Sequence, residues 1–178
     1  MKKKILVAGG DLRQVFLALS LSGEYDTYIY GIDDNTYTEK LGKDDGETIY
    51  DIVVLPIPVT NDGETLFSPF SEKKISLSDI AEKVKKNGVV FGGKFGTSEK
   101  IFNEKGIETI DYLSREELSV MNAVATAEGA LGIAMEESPE TIFGSEILIT
   151  GFGRISKTLA KILVSMGADV TVCARKKS

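Results

Sequence analysis

Apolar residues in the first 112 positions fall into short continuous runs that alternate with stretches of helical spacing. Ile5-Leu-Val-Ala8 is such a run, closed by Gly9-Gly10, and Leu12, Val15, Phe16 and Leu19 then recur at intervals of three and four. That pattern predicts a strand, a tight turn and a helix. Tyr28-Ile-Tyr30 predicts a second strand ending at Gly31. The polar stretch from Asp33 to Gly46 has no sustained period and predicts a loop with a short irregular element. Asp51-Ile-Val-Val-Leu-Pro56 is apolar without alternation, as a strand covered on both faces is, and Pro56 and Pro58 stop it.

The second half of this region repeats the theme. Ile80, Ala81 and Val84 share one side of a predicted helix over 78–86, and Val89-Val-Phe91 predicts a fourth strand followed by Gly92-Gly93. A short helix over 98–105 and a fifth strand over 108–112 complete it. Strand, glycine and helix in succession specify an α/β fold, an open parallel sheet with helices on both faces. By analogy with doubly wound sheets, the five strands are expected in the order 3-2-1-4-5.

Residues 1–113 are therefore expected to form one domain. Ser114-Arg-Glu-Glu117 has the spacing of a capping box, and helical patterns run through Leu118 and Met121 and again from Ala123 to Met135, predicting linking helices over 114–138. Ser138-Pro139 ends them. Glu146-Ile-Leu-Ile-Thr150 then starts a new buried strand. Gly151-Phe-Gly153-Arg-Ile-Ser156 follows it, and a helix over about 154–166 turns Ile155, Leu159, Ile162 and Leu163 inward. Gly167 leads into a further strand, Val170-Thr-Val-Cys173. Residues 139–178 thus carry one strand-helix-strand unit, which a complete dinucleotide-binding domain would continue.

The glycine turn fills the places of G-x-G-x-x-G with serine at the last. The first glycine permits the tight turn, the second lets the backbone approach a pyrophosphate, and Ser156 is small enough for the contact between helix and strand. Gly151, Gly153, Arg154 and Ser156 are the candidate phosphate-binding residues, and the helix after them directs its free N–H groups at an anion. The tip of the second strand carries uncharged Cys173 and Ala174 where NAD sites usually place an acid, followed by Arg175, Lys176 and Lys177. A guanidinium there favours the 2′-phosphate of NADP over NAD. The alternative is a solvated basic tail.

Composition narrows the chemistry. The 178 residues include 42% hydrophobic and 27% charged positions and carry a formal charge of −6, which argues against a nucleic-acid binder. Cys173 is the sole cysteine, so no internal disulfide forms and a cytoplasmic setting is expected. No run of 18 apolar residues predicts a membrane span. Histidine is absent, which removes Ser-His and Cys-His nucleophiles and histidine metal sites; no metal site is expected.

Five further positions stand out. Arg13, after the first strand, either clamps a substrate carboxylate or is an exposed arginine of the first helical turn. Lys94 follows two glycines and either meets an anionic substrate or is a surface lysine. Thr60 and Ser98 are candidate hydroxyl donors. Glu128 sits in an alanine-rich stretch suited to close packing, where a carboxylate is costly unless paired or lining a cleft. It is either an acid-base group with a pKa raised by burial or a paired helix glutamate.

V-A-G-G-D-L-R-Q at 7–14, V-V-L-P-I-P-V-T at 53–60, N-A-V-A-T-A-E-G-A at 122–130 and I-F-G-S-E-I-L-I-T-G-F-G-R-I at 142–155 together resemble the dipicolinate synthase A-subunit family. The resemblance implies a three-layer, flavodoxin-like parallel sheet followed by a truncated Rossmann β-α-β unit. It implies an oxidoreductase that passes hydride from a cyclic dihydrodipicolinate-type dicarboxylate to NADP during sporulation, acting with the dipicolinate synthase B-subunit. Arg13, Lys94 and Thr60 are then the expected substrate-binding residues and Glu128 the expected catalytic one. Family members continue well beyond this length, so the chain is expected to be a piece of a longer protein, inactive alone and associating as a homodimer through the incomplete second domain. The competing reading is a non-catalytic module that binds an anionic metabolite or the B-subunit.

Overall fold

The computed structural model describes residues 2–33 and 36–175. The chain divides into two compact units, Met1–Leu113 and Ser114–Ser178.

The first unit is built on a parallel sheet whose strands are β1 (Lys4–Ala8), β2 (Asp26–Tyr30), β3 (Gly42–Lys43), β4 (Tyr50–Val54), β5 (Val84–Gly92) and β6 (Glu108–Asp111). Their order is β3-β2-β1-β4-β5-β6. Successive side chains of a strand point to opposite faces, and β1 divides its apolar residues accordingly. Ile5 and Val7 join Val15 and Ala18 of α1 (Leu12–Ser22) in one core layer, with Ile29, Ile32 and Leu41. Leu6 and Ala8 join Val53, Val90, Leu77 and Ile80 of α2 (Leu77–Glu82) and Phe102 of α3 (Glu99–Asn103) in the other. Helices on both faces, as the strand-and-helix pattern predicts, give the three-layer, flavodoxin-like architecture that the resemblance implies.

The strand order differs from the expected one. Numbered as the sequence suggests, the five anticipated strands run 2-1-3-4-5, because β4 lies between β1 and β5 instead of at the edge. The physical reason is the composition of β4, whose Val53 faces one core and whose Ile52 and Val54 face the other. The sheet edge goes to β3, a two-residue exposed strand inside the stretch expected to be a loop. A buried cluster ties this edge down. Lys83 pairs with Asp44 at 2.7 Å, the Tyr50 hydroxyl donates to the same carboxylate at 2.7 Å, and the Lys83 ammonium lies 5.2 Å from the Tyr30 ring centre. Burial, together with the Asp44 carboxylate, drives the Tyr50 phenol far above its ordinary range.

The helix predicted over 78–86 stops at Glu82, and Val84 already belongs to β5. Asn87, at φ 67°, and Gly88 absorb a register shift before the strand resumes beside Ile52.

In the second unit a single helix, α4 (Glu116–Glu137), replaces the expected linking helices. Its N-cap is Arg115, one residue beyond the Ser114 expected in that place, and Arg115 makes no side-chain capping bond. Ser138 caps the other end, directly before Pro139. The strands β7 (Glu146–Thr150) and β8 (Asp169–Cys173) pair in parallel, with α5 (Arg154–Ser165) connecting them. Their small core holds Ile142, Ile149, Leu163 and Ala168, with Leu131 of α4 and Leu159 of α5 against it. Ile155, expected to face inward, is 42% exposed. By length and composition alone α4 is apolar enough to cross a membrane. It packs along α5, however, and carries Glu128 at its middle, a charge that is costly at the centre of a bilayer.

Candidate functional site

In an open parallel sheet, ligands bind at the carboxyl ends of the strands where the direction of winding reverses. Here that point lies between β1 and β4, because the chain leaves β1 through α1 towards β2 and leaves β4 through α2 towards β5 on the opposite face. Two turns flank it. After β1, Gly9 and Gly10 adopt φ 65° and 79°, and their N–H groups donate to Tyr30 and Phe67 carbonyls, both at 2.8 Å. After β4 come Pro56 and the cis Ile57–Pro58 peptide.

Asp11 is the N-cap of α1, its carboxylate accepting from the Arg13 N–H at 3.0 Å. The Arg13 guanidinium closes on the same carboxylate, with Nε at 2.9 Å from Oδ1 and Nη2 at 2.8 Å from Oδ2. That hydrogen bonding holds the Asp11 carboxyl below its ordinary range. Arg13 is thus an exposed side chain of the first helical turn and also an oriented one.

Lys94 stands after β5 on the same rim. It adopts φ 57°, a left-handed conformation that costs a non-glycine residue about 1–2 kcal/mol. Asp111 sustains it, accepting from the Lys94 N–H at 3.1 Å and from the Leu113 N–H at 2.8 Å. The ammonium of Lys94 is exposed and makes no ion pair among the described residues. Backbone conformations of this cost persist where the surrounding structure fixes them and cluster at functional sites. Tyr112 completes this side. Its hydroxyl donates to the Leu55 carbonyl at 3.1 Å, and burial pushes the phenol up to about 12.

Thr60 and Ser98 have other employment. The Thr60 hydroxyl donates to Asp62 at 2.9 Å and accepts from the Gly63 N–H at 3.0 Å, holding its own loop. Ser98 is buried and donates to the Phe95 carbonyl at 2.6 Å. A cavity of about 300 Å³ beside β2 and β3 is lined by Asp33, Lys43, Asp44 and Lys73. Its charges are balanced, so it has no bias towards an anion.

In the second unit the glycine turn forms as its spacing predicts. Gly151 has φ 96° and its N–H donates to the Cys173 carbonyl at 2.7 Å. Gly153 is the N-cap of α5, with no side-chain capping bond and open space where a Cβ would stand. Ser156 is half-buried behind it. The N-terminal N–H groups of α5 are therefore accessible, and the donor set suits a pyrophosphate. The Arg154 guanidinium grips Glu116 through two nitrogens, which holds the Glu116 carboxyl below its ordinary range. Arg175 is exposed just after β8, while Lys176 and Lys177 lie outside the described residues. Glu128 is exposed on α4, so the burial expected for it is absent. No group of metal-ligating side chains occurs among the described residues.

Three residues of this rim escape a reading of the sequence: Asp111, Tyr112 and Gln14. The buried position of Gln14 at a helix start carries no periodic signal, whereas Asp111 and Tyr112 mark only the end of a strand.

Known proteins share the fold of this chain. The family model for the N-terminal domain of the dipicolinate synthase A-subunit matches residues 4–113. The A-subunit of dipicolinate synthase from Bacillus subtilis (strain 168) is 27% identical over 183 residues, which covers 98% of this chain and 62% of that protein. The crystal structure of the Bacillus halodurans A-subunit superposes with a TM-score of 0.81 at 27% identity, covering 98% of this chain and 62% of the other. That of its Bacillus subtilis counterpart gives 0.77 at 26% identity, covering 99% and 62%. The chain spans 62% of the length of these relatives. With more than half of its residues matched by the family model, the chain belongs to the dipicolinate synthase A-subunit family.

Proposed function

We propose that the protein carrying this chain is an NADP-dependent oxidoreductase that converts a cyclic dihydrodipicolinate-type dicarboxylate to pyridine-2,6-dicarboxylate. The observation that carries the reading is similarity to the dipicolinate synthase A-subunit sustained over 98% of the chain. The chemistry of the rim supports it. Arg13, oriented by Asp11, and Lys94, held by Asp111, offer cations of different reach to a ligand with two carboxylates. Thr60 braces the loop after β4, and its contribution to the site is to shape that wall.

The chemistry that bound NADP would supply is acceptance of a hydride from the ring. Gly151 and Gly153 leave room for its pyrophosphate at the start of α5, Ser156 keeps the helix close to the strand, and Arg154, braced by Glu116, flanks the turn. Arg175 is suited to a 2′-phosphate. Loss of hydride and of one ring proton makes the ring aromatic, which supplies much of the driving force. The protein's tasks are orientation and proton removal. Glu128, exposed and unpaired among the described residues, is available to take the proton. The dipicolinate synthase B-subunit is the proposed partner, and a chain with one exposed cysteine, Cys173, suits the cytoplasm.

Calorimetric titration of NADP and NAD tests the cofactor assignment. Arg175→Ala is expected to weaken NADP by about tenfold or more, the loss of a charge-assisted hydrogen bond, and to leave NAD nearly unchanged. Equal losses for both would refute the phosphate assignment.

A further inference from the structure

Among the described residues, Gln14 is the buried side chain whose hydrogen bonding is incomplete. It is the third residue of α1 and is 8% exposed, and its Nε2 has no hydrogen-bond partner among the described residues. Buried donors in folded proteins are almost always paired, and an orphan calls for an explanation. The position of the side chain supplies one. Its Cγ occupies the space that a Cβ on Gly10 would need, 2.3 Å from that point, and the Pro56 Cβ lies 2.9 Å from the same point. The side chain thus packs against the turn that follows β1, beside Pro56 of the turn that follows β4.

The Asp11 carboxylate at the start of the helix does not satisfy it. Both oxygens of Asp11 are taken by the Arg13 guanidinium and the Arg13 N–H. The missing acceptor must come from outside the chain. An acceptor oxygen delivered here meets the N-terminal end of an 11-residue helix beside the Asp11–Arg13 pair, whose charges cancel, so the helix end supplies the bias towards negative charge.

We infer that Gln14 is a ligand-reading residue, whose side-chain amide donates a hydrogen bond to a carboxylate oxygen of a small organic acid bound at the β1/β4 crevice. The inference rests on the proposed function for the identity of that acid, and on the orphaned donor for its place. A neutral donor suits the role. It discriminates by geometry without adding a third charge, and its own desolvation is offset only when the correct acceptor arrives.

The chain makes the test direct, because Gln14 is its only glutamine. Labelling glutamine side-chain amides with nitrogen-15 therefore yields one NH₂ pair in the NMR spectrum. Titration with pyridine-2,6-dicarboxylate, and separately with acetate, is expected to shift that pair. Gln14→Met is expected to weaken pyridine-2,6-dicarboxylate about tenfold while raising the unfolding temperature, since the orphan is removed. Gln14→Glu is expected to abolish the binding. If the amide responds to acetate but pyridine-2,6-dicarboxylate does not bind, the inference stands and the proposed substrate falls. If pyridine-2,6-dicarboxylate binds while the amide stays still and Gln14→Met binds equally well, the inference is overturned and the proposed substrate stands. An amide that responds to neither acid is satisfied by water alone, and that result also overturns the inference.

Discussion

Gly10→Ala is the most exacting perturbation of the rim, since the turn after β1 positions Asp11, Arg13 and Gln14 together. Gly10 has φ 79°, and an added methyl group forces an L residue into the left-handed region, costing about 1–2 kcal/mol. The same methyl group would stand 2.3 Å from the Gln14 Cγ and 2.9 Å from the Pro56 Cβ. Gln14 is flexible and rotates away at about 1 kcal/mol. Pro56 is part of a stiff ring, and moving it away costs about 1–3 kcal/mol as overpacking does. The alanine also restricts the unfolded chain, which returns about 0.4–1 kcal/mol. The net expectation is a loss of about 3 kcal/mol. Urea unfolding followed by tyrosine fluorescence measures it cleanly, because the chain has no tryptophan and all six tyrosines lie before residue 113. The signal therefore reports the first unit alone. The midpoint should fall with an unchanged slope. Adding Gln14→Ala should restore about 1 kcal/mol, the coupling expected of side chains in contact. A Gly10→Ala protein that unfolds at the wild-type midpoint, or a double variant with no relief, would refute this description of the turn.

Two other perturbations read the same rim. Lys94→Gly relieves the left-handed conformation while loosening the unfolded chain. Stability should stay within about 1 kcal/mol of wild type while affinity for pyridine-2,6-dicarboxylate drops about tenfold; unchanged affinity would remove Lys94 from the site. Tyr112 sets an alkaline limit, because burial raises its phenol from 10.0 to about 12 in the folded state. Its contribution is fully present below pH 10 and is lost as pH rises towards 12, where the unfolded chain has already released the proton. The stability difference between wild type and Tyr112→Phe should narrow across that window, and a difference independent of pH would contradict the burial argument.

The middle of the fold is legible in the sequence where apolar runs are long and continuous. β4 shows both the strength and the limit of that signal. Its apolar run identifies a strand covered on both faces, and that same property, taken further, requires a central position that the expected strand order did not give it. β3 is beyond reach, since Gly42 and Lys43 form a strand through register with Tyr28 and Ile29 and have no pattern of their own. Val84 misleads because its spacing from Ile80 and Ala81 fits a helix, while the register shift at Asn87 and Gly88 is a tertiary feature. At the rim, Arg13 and Lys94 are identifiable from glycine turns after apolar runs. The engagement of Thr60 and Ser98 is not, because side-chain hydrogen bonds to nearby groups leave no trace in composition. Gln14 looks like any polar residue at a helix start. Its burial beside Gly10 and Pro56 is a tertiary feature.

The proposed reaction itself is open to a single experiment. The protein carrying this chain, mixed with the dipicolinate synthase B-subunit, is supplied with the cyclic dihydrodipicolinate-type precursor and NADP, and the absorbance of reduced nicotinamide is followed. That absorbance should grow in step with pyridine-2,6-dicarboxylate, one reduced cofactor for each ring made aromatic. Formation of pyridine-2,6-dicarboxylate without reduced cofactor, or no change in either, would overturn the proposed reaction.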